Sequence, residues 1–166
     1  MGHNRVTANC LPLILGPGAR VLILGSFPSA ASLAAQQYYA HPQNQFWRIL
    51  GEVIGQPLNE MDYPQRIAAV QAAGIAIWDV FASCERAGSL DTAIRDAVPN
   101  DFAELRQSAP ALRRICFNGG MAARRVREVE ALGFEAAVLP STSPANATWS
   151  FERKLSAWRA TLLPGQ

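Results

Sequence analysis

Lysine is almost missing from this chain. Of its 15 basic residues only Lys154 is a lysine. Schiff-base chemistry, which needs an amine of lowered pKa, therefore has one candidate side chain, and it falls in a helix-forming stretch outside any polar loop. Histidine is scarce too, with only His3 and His41. The three cysteines, Cys10, Cys84 and Cys116, lie far apart and form no CxxC pair. Neither a zinc site nor an iron–sulfur cluster finds enough clustered ligands, so no metal is expected. Free thiols fit a reducing compartment. No segment approaches ~18 uninterrupted apolar residues, so no membrane partner is expected. The start, MGHNRVTANC, has no apolar run behind a charged opening and does not read as a signal peptide. There is no GxxxxGK[ST] loop and no GxSxG elbow, and Gly16-Pro17-Gly18 precedes the first strand-like run instead of following it. These absences argue against a Walker-type nucleotide site, a dinucleotide turn and a serine-hydrolase elbow.

What is present is apolar. In 166 residues, 49% are hydrophobic and 17% charged, which suits one folded domain spanning 1–166. Four short runs stand out: RVLILG (20–25), GIAIWDV (74–80), RRICFNG (113–119) and FEAAVLP (134–140). Their apolarity is continuous instead of alternating, as in strands covered on both faces. Helical patterns fall between them, over 44–54, 63–73, 101–109 and 121–132, with a last one over 149–162. Pro64 suits a first turn and Gly133 a C-terminal stop. Strand and helix alternating predicts an α/β fold with a mostly parallel sheet. Residues 1–19, rich in Pro and Gly, read as an irregular arm.

In such sheets ligands gather at the carboxyl ends of the strands. Reading past each run gives Gly25-Ser26-Phe27-Pro28-Ser29, then Trp78-Asp79 continuing to Ser83-Cys84-Glu85-Arg86, then Asn118-Gly119-Gly120, then Pro140-Ser141-Thr142-Ser143-Pro144-Ala145-Asn146. Turn chemistry alone accounts for any one of these loops; four at one edge suggest a site. Gly119 and Gly120 open a helix, where backbone amides suit an anion. Thr142, Ser143 and Asn146 add polar groups, so these five are candidates for holding a phosphate backbone. Charge supports this. Residues 1–104 carry six Arg and nine Asp+Glu, about −3, whereas 105–166 carry nine Lys+Arg and four Glu, about +5. Arg113, Arg114, Arg124, Arg125 and Arg127 either meet phosphates or form a solvated face partly paired with Glu128 and Glu130.

The densest run is YYAHPQNQFW, Tyr38 to Trp47. Phe46 and Trp47 at a helix start read as core. Tyr38 and Tyr39 serve either as a stacking platform for a flat ligand or as loop anchors. Asn44 is either a helix N-cap or a site residue.

Together, GSFPSAASLAAQQYYAHPQNQFW and the later STSPAN resemble the uracil-DNA glycosylase superfamily, and most closely its hypoxanthine-DNA glycosylase branch. The likeness covers roughly Val21 to Trp158. It implies a three-layer α/β/α sandwich on a four-stranded parallel sheet, and a monofunctional glycosylase without cofactor. In the family's GQDPY or GINP loop the third residue positions the attacking water. Here that residue is Phe27, which can neither accept a proton nor orient water. The hypoxanthine branch uses an asparagine in its place, matched by Asn44 of HPQN. GIAIWDV resembles GVLLLN, with Asp79 where an asparagine reads the base edge. The platform aromatic falls at Tyr39. Ser141 stands where the family's last motif has histidine.

The resemblance implies a substrate with a lactam edge, O=C–N–H, shared by uracil and hypoxanthine. An ionised Asp79 would accept the N–H and repel the bare ring nitrogen of adenine or cytosine. Amides near Ser26 and Phe27 would hold the lactam oxygen. Asn44 would orient water behind the sugar, with Asp79 as the alternative acceptor. The partner is then DNA containing deaminated bases, met by a monomer in the cytoplasm at the nucleoid. Two other readings stay open: a nucleoside N-glycosidase, and a silent binder of damaged or single-stranded DNA, which the loss at Phe27 favours.

Overall fold

The computed structural model describes residues 7–9, 11–86 and 94–163. At its centre is a four-stranded, all-parallel sheet made of β2 (Val21–Gly25), β3 (Ile75–Asp79), β6 (Arg114–Asn118) and β7 (Glu135–Leu139). Their spatial order is β3-β2-β6-β7. Each is one of the four apolar runs. The period-two alternation of side chains along a strand explains why those runs are continuous. Ile23, Ile75, Ile77 and Cys116 enter one core. Leu22, Leu24, Ala76, Ile115 and Phe117 enter the other, on the opposite face.

Helices cover both faces. The first core is closed by α2 (Phe46–Ile54), α3 (Tyr63–Ala72) and α6 (Phe151–Leu162), through residues such as Phe46, Leu50, Val70 and Trp158. The second is closed by α4 (Leu105–Ser108) and α5 (Val126–Ala131), through Leu105 and Val129, with Phe102 and Ala122 just ahead of the two helices. Each of these two helices is entered through a 3₁₀ turn, at Phe102–Glu104 and Ala122–Arg125. The helices expected over 101–109 and 121–132 are thus shorter and tighter at their starts. A short α1 (Ala30–Ala35), capped by the Ser29 hydroxyl on the Ser32 amide, follows β2 and has no counterpart in the sequence reading. Asp62 and Gln65 form a reciprocal capping box at α3, and Gly133, at φ +92°, follows the end of α5 as expected.

The segment past β3 corrects the expectation of a loop. Residues Phe81–Arg86 form β4, which pairs antiparallel with β5 (Ile94–Pro99) and with β1 (Thr7–Asn9) in a second, three-stranded sheet. Polar residues run throughout β4 and β5, so they lack the unbroken apolarity by which buried parallel strands announce themselves. The arm is not irregular throughout. Besides β1, Ile14 exchanges two backbone hydrogen bonds with Ile77, at 2.9 and 3.0 Å. His3, Cys10 and the tail from Pro164 lie outside the described residues. No helix among the described residues is long and apolar enough to cross a membrane.

Topology places the site. The chain leaves β2 toward the face covered by α2 and α3, and leaves β6 toward the face covered by α5. β2 and β6 are neighbours, so their carboxyl-end loops part in opposite directions and open a crevice between them.

Candidate active site

That crevice is a cavity of about 320 Å³, near the lower end of the ~300–1,000 Å³ usual for small-ligand sites. All four loops contribute. Ser26 and Phe27 come from the end of β2, Asp79 from β3, Asn118 from β6, and Ser141, Thr142 and Ser143 from the segment after β7. Tyr39 and Asn44 come from the loop before α2. Every residue expected to touch a base or carry the chemistry therefore lines one hollow.

Asp79 is 3% exposed. It ends β3 in register with Gly25 of β2. Its backbone carbonyl accepts a 2.7 Å hydrogen bond from the Asn100 side chain, while Val80 N–H donates to Gly25 at 2.7 Å. The β3 terminus is thus clamped before the chain turns into β4. A Cβ on Gly25 would lie 2.7 Å from Asp79 Oδ1 and 2.9 Å from Tyr39 Oη. Glycine is required there by close approach: the carboxylate and the phenol flank the one position in the strand that has no side chain.

The two tyrosines divide the roles left open by sequence. Tyr38 is the loop anchor. It is buried, its hydroxyl meets the carbonyls of Leu11 and Pro12, and its own carbonyl accepts from Trp47 Nε1. Tyr39 takes a left-handed backbone, φ +53°, which turns its ring to stack on Phe46 with centroids 3.8 Å apart. One face of that ring is therefore covered by protein. Burial, and secondarily the charge of Asp79, pushes the Tyr39 phenol well above the usual tyrosine range, so it stays neutral.

Asn44 is half-buried and does part of what an N-cap does from one position early. Gln45 is the cap residue, and its side chain makes no capping bond. Instead Asn44 Oδ1 accepts from Phe46 N–H at 3.0 Å. That bond fixes the direction of the carboxamide in the cavity wall and leaves its NH₂ and one oxygen lone pair for other partners.

Asn118 is the residue that sequence reasoning passed over. Its Nδ2 donates to Tyr39 Oη (3.2 Å) and Thr142 Oγ1 (3.1 Å), and its Oδ1 accepts from Thr142 N–H (3.1 Å). It braces β6, the tyrosine loop and the last loop together. The only signal was its place at the end of the third apolar run, where Asn-Gly-Gly also reads as plain turn chemistry.

The expected phosphate ligands fare unevenly. Gly119, φ +95°, donates its amide to the Phe117 and Leu139 carbonyls, so it is not available to an anion. Thr142 is fully buried with hydroxyl and amide both engaged by Asn118; it belongs to the wall, not the surface. Ser141 Oγ accepts from Ser143 N–H, and Ser143 Oγ from Ala145 N–H, two turns that shape this loop at the cavity. Asn146 bonds the Ser141 carbonyl through its side chain and lies outside the cavity lining, as do Gly119 and the exposed Gly120. Arg113 and Arg114 are at the amino end of the sheet, roughly 13–16 Å from Asn118 in the cavity wall at ~3.3 Å per residue. Arg114 is engaged there by Glu135 and the Thr161 carbonyl. Arg125 pairs with Glu128 at 3.5 Å.

The model of the uracil DNA glycosylase superfamily matches residues 14–163. The chain belongs to that superfamily. Two curated relatives, both called hypoxanthine DNA glycosylase, come from Methanosarcina acetivorans and Methanosarcina barkeri. The first is 42% identical over 149 residues, covering 90% of this chain and 94% of its own. The second is 38% identical over 147 residues, covering 89% and 92%. A solution NMR structure from Methanosarcina acetivorans, described as a candidate uracil DNA glycosylase, superposes with a TM-score of 0.85 at 41% identity, covering 93% of this chain and 96% of that one. The α/β fold on a four-stranded parallel sheet described above is the one this chain shares with that structure.

Proposed function

We propose that this superfamily member is a DNA glycosylase that hydrolyses the N-glycosidic bond of deaminated bases, hypoxanthine foremost. The observation that carries this reading is the meeting of Asn44, Asp79 and Tyr39 in one cavity of about 320 Å³, a space that admits a single nucleobase. The base reaches it only by leaving the stack.

Base recognition rests on Asp79. A carboxylate buried at the end of β3 accepts the lactam N–H of hypoxanthine or uracil. It meets only the bare ring nitrogen of adenine or cytosine, and a buried polar mismatch of that kind discriminates by up to ~10⁴-fold or more. Backbone amides beside Ser26 and Phe27 hold the lactam oxygen, and Ser141 lies across the cavity. Phe27, buried and incapable of acid–base work, contributes an apolar wall. Tyr39, with one face covered by Phe46, presents its other side and its neutral hydroxyl to the cavity.

Bond cleavage leaves positive charge on the sugar and negative charge on the departing base. Asn44, oriented by the Phe46 amide, holds the water that captures the sugar cation; the nucleophile needs placement more than deprotonation. Asp79 is the alternative acceptor for that water. Lys154, the only lysine, is buried in α6 and outside the cavity lining, so no lysine Schiff base cuts the strand on base release, and the N-terminal amine is the one other amine that could. The protein acts as a monomer on DNA in the compartment where the chromosome lies. Gly120, Ser143 and the exposed Arg124 of the 3₁₀ turn before α5 supply phosphate contacts.

The test is a panel of duplexes carrying deoxyinosine, deoxyuridine, xanthosine or a thymine mispair, incubated with wild type, Asn44→Ala and Asp79→Ala. Free base should be released, with strands intact until alkali or heat is applied. Both substitutions should lower release more than binding. Absence of release by wild type would leave the silent-binder reading, and unchanged rates in both variants would remove the assignment of Asn44 and Asp79. DNA binding should weaken steeply with salt; activity on free nucleosides indifferent to salt would point to a nucleosidase instead.

A further inference from the structure

Lys154 is a buried cation on α6. It is 3% exposed, and burying an ammonium is expensive unless it is partnered. Methionine or leucine would fill the same space in α6 without that penalty. The ammonium is seated on one side chain of another element: Nζ donates to Gln45 Oε1 at 3.0 Å. Burial lowers its pKa, as a desolvated cation requires.

Gln45 is itself in an unusual position. It is the N-cap of α2, where a side chain ordinarily bonds the helix's own first amides, yet it makes no such bond. Its side chain reaches across to α6, and its backbone N–H donates to the Thr142 carbonyl at 3.1 Å. Gln45 is thus held from two directions, by α6 and by the last loop. Its peptide link joins it to Asn44, whose carboxamide is oriented by the bond from Phe46 N–H on the far side of Gln45. Thr142 in turn carries two of the three hydrogen bonds that Asn118 makes.

We propose that Lys154 is a positioning residue. By gripping Gln45 it locks the peptide between Asn44 and Gln45 against the Thr142 loop, and so fixes the angle at which Asn44 faces the cavity. The proposal rests on the reading of Asn44 given above. Misplacement of a reacting group by about 1 Å costs ~10²-fold in rate. Release of this grip should cost on the order of 10-fold or more in the chemical step while leaving the DNA-binding surface intact.

The experiment is single-turnover release of hypoxanthine from a deoxyinosine duplex with enzyme in excess. It compares wild type, Lys154→Met, Lys154→Arg, Gln45→Met, the Lys154→Met/Gln45→Met pair and Asn44→Ala, with Kd for the duplex and melting temperature measured for each. Lys154→Met and Gln45→Met should each slow release about 10-fold with Kd unchanged. The pair should be no slower than either single change, and Lys154→Arg, which keeps a donor, should recover most of the rate. A merely structural lysine would move the melting temperature and not the rate of folded enzyme. Asn44→Ala slow with Lys154→Met and Gln45→Met at the wild-type rate overturns this proposal alone. Asn44→Ala at the wild-type rate overturns the reading of Asn44 and this proposal with it. Should Lys154→Met fail to fold, Gln45→Met decides: slow release at unchanged Kd supports the grip, and the wild-type rate refutes it.

Discussion

Removing the Asn118 side chain should cost more stability than its half-buried position suggests. Asn118→Ala deletes three hydrogen bonds: to Tyr39 Oη, to Thr142 Oγ1 and from Thr142 N–H. The amide matters most. Thr142 is fully buried, its N–H cannot rotate to a new acceptor, and a stranded buried donor costs ~1–3 kcal/mol. The two hydroxyls can turn elsewhere, so each loses only the net value of a bond, about 0.5–1 kcal/mol. The sum is about 2–5 kcal/mol, with its middle near 3.5 kcal/mol. At roughly 2–4 °C per kcal/mol for a domain of this size, the melting temperature should fall by about 10 °C. Thr142→Val is the companion measurement. It removes the hydroxyl and keeps the amide bond, and should cost only about 1 kcal/mol, or ~3 °C. Thermal unfolding followed by circular dichroism reads both. A drop below ~3 °C for Asn118→Ala, or equal drops for the two variants, would refute the claim that the amide bond dominates this brace. Base release by Asn118→Ala, assayed well below its melting point, should also slow, because Tyr39 and the last loop lose their common strut.

Three further outcomes follow from the same geometry. Gly25→Ala should abolish base release and lower the melting temperature, because its Cβ would meet Asp79 Oδ1 at 2.7 Å and Tyr39 Oη at 2.9 Å; a fully active Gly25→Ala would show that the two groups do not need this close approach. The raised Tyr39 pKa makes stability fall with alkali. Above about pH 10 the unfolded phenol ionises while the folded one does not, so this contribution is full below pH ~10 and is lost as pH rises toward the folded value. Tyr39→Phe should therefore show a shallower loss of unfolding free energy above pH ~10 than wild type, and parallel curves would contradict the assignment; the comparison cancels Tyr63, whose phenol is shifted the same way. Burial pushes the Cys116 thiol up to about 12, so in a Cys10→Ser/Cys84→Ser background it should resist a thiol reagent at pH 8 until denaturant is added, and prompt labelling of native protein would show the core to be open.

The sequence by itself determined the layers. Four unbroken apolar runs are a local property and fit a sheet buried on both faces, so the parallel core, its flanking helices and the edge where the loops gather were legible; the edge strand β7 departs from the pattern, with Val138 57% exposed. The HPQN and GSFPS segments carried the family in the same way, as short strings with unusual residues at fixed spacing. Tertiary structure decided what no string contains: which polar side chains meet across long separations. Asn118 looks like a turn residue until Tyr39 and Thr142 arrive beside it from 79 and 24 positions away. Lys154 is only a lysine in a helix-forming stretch outside the polar loops until Gln45, 109 residues earlier, is seen against its ammonium. Tyr38 and Tyr39, adjacent and chemically alike, part company only because a left-handed backbone at Tyr39 turns one ring onto Phe46 while the other is tied down at Leu11 and Pro12. Hydrophobic periodicity is written along the chain because burial is set element by element. A hydrogen bond between distant loops depends on where two elements end in space, and that is settled only when the sheet and its helices have packed.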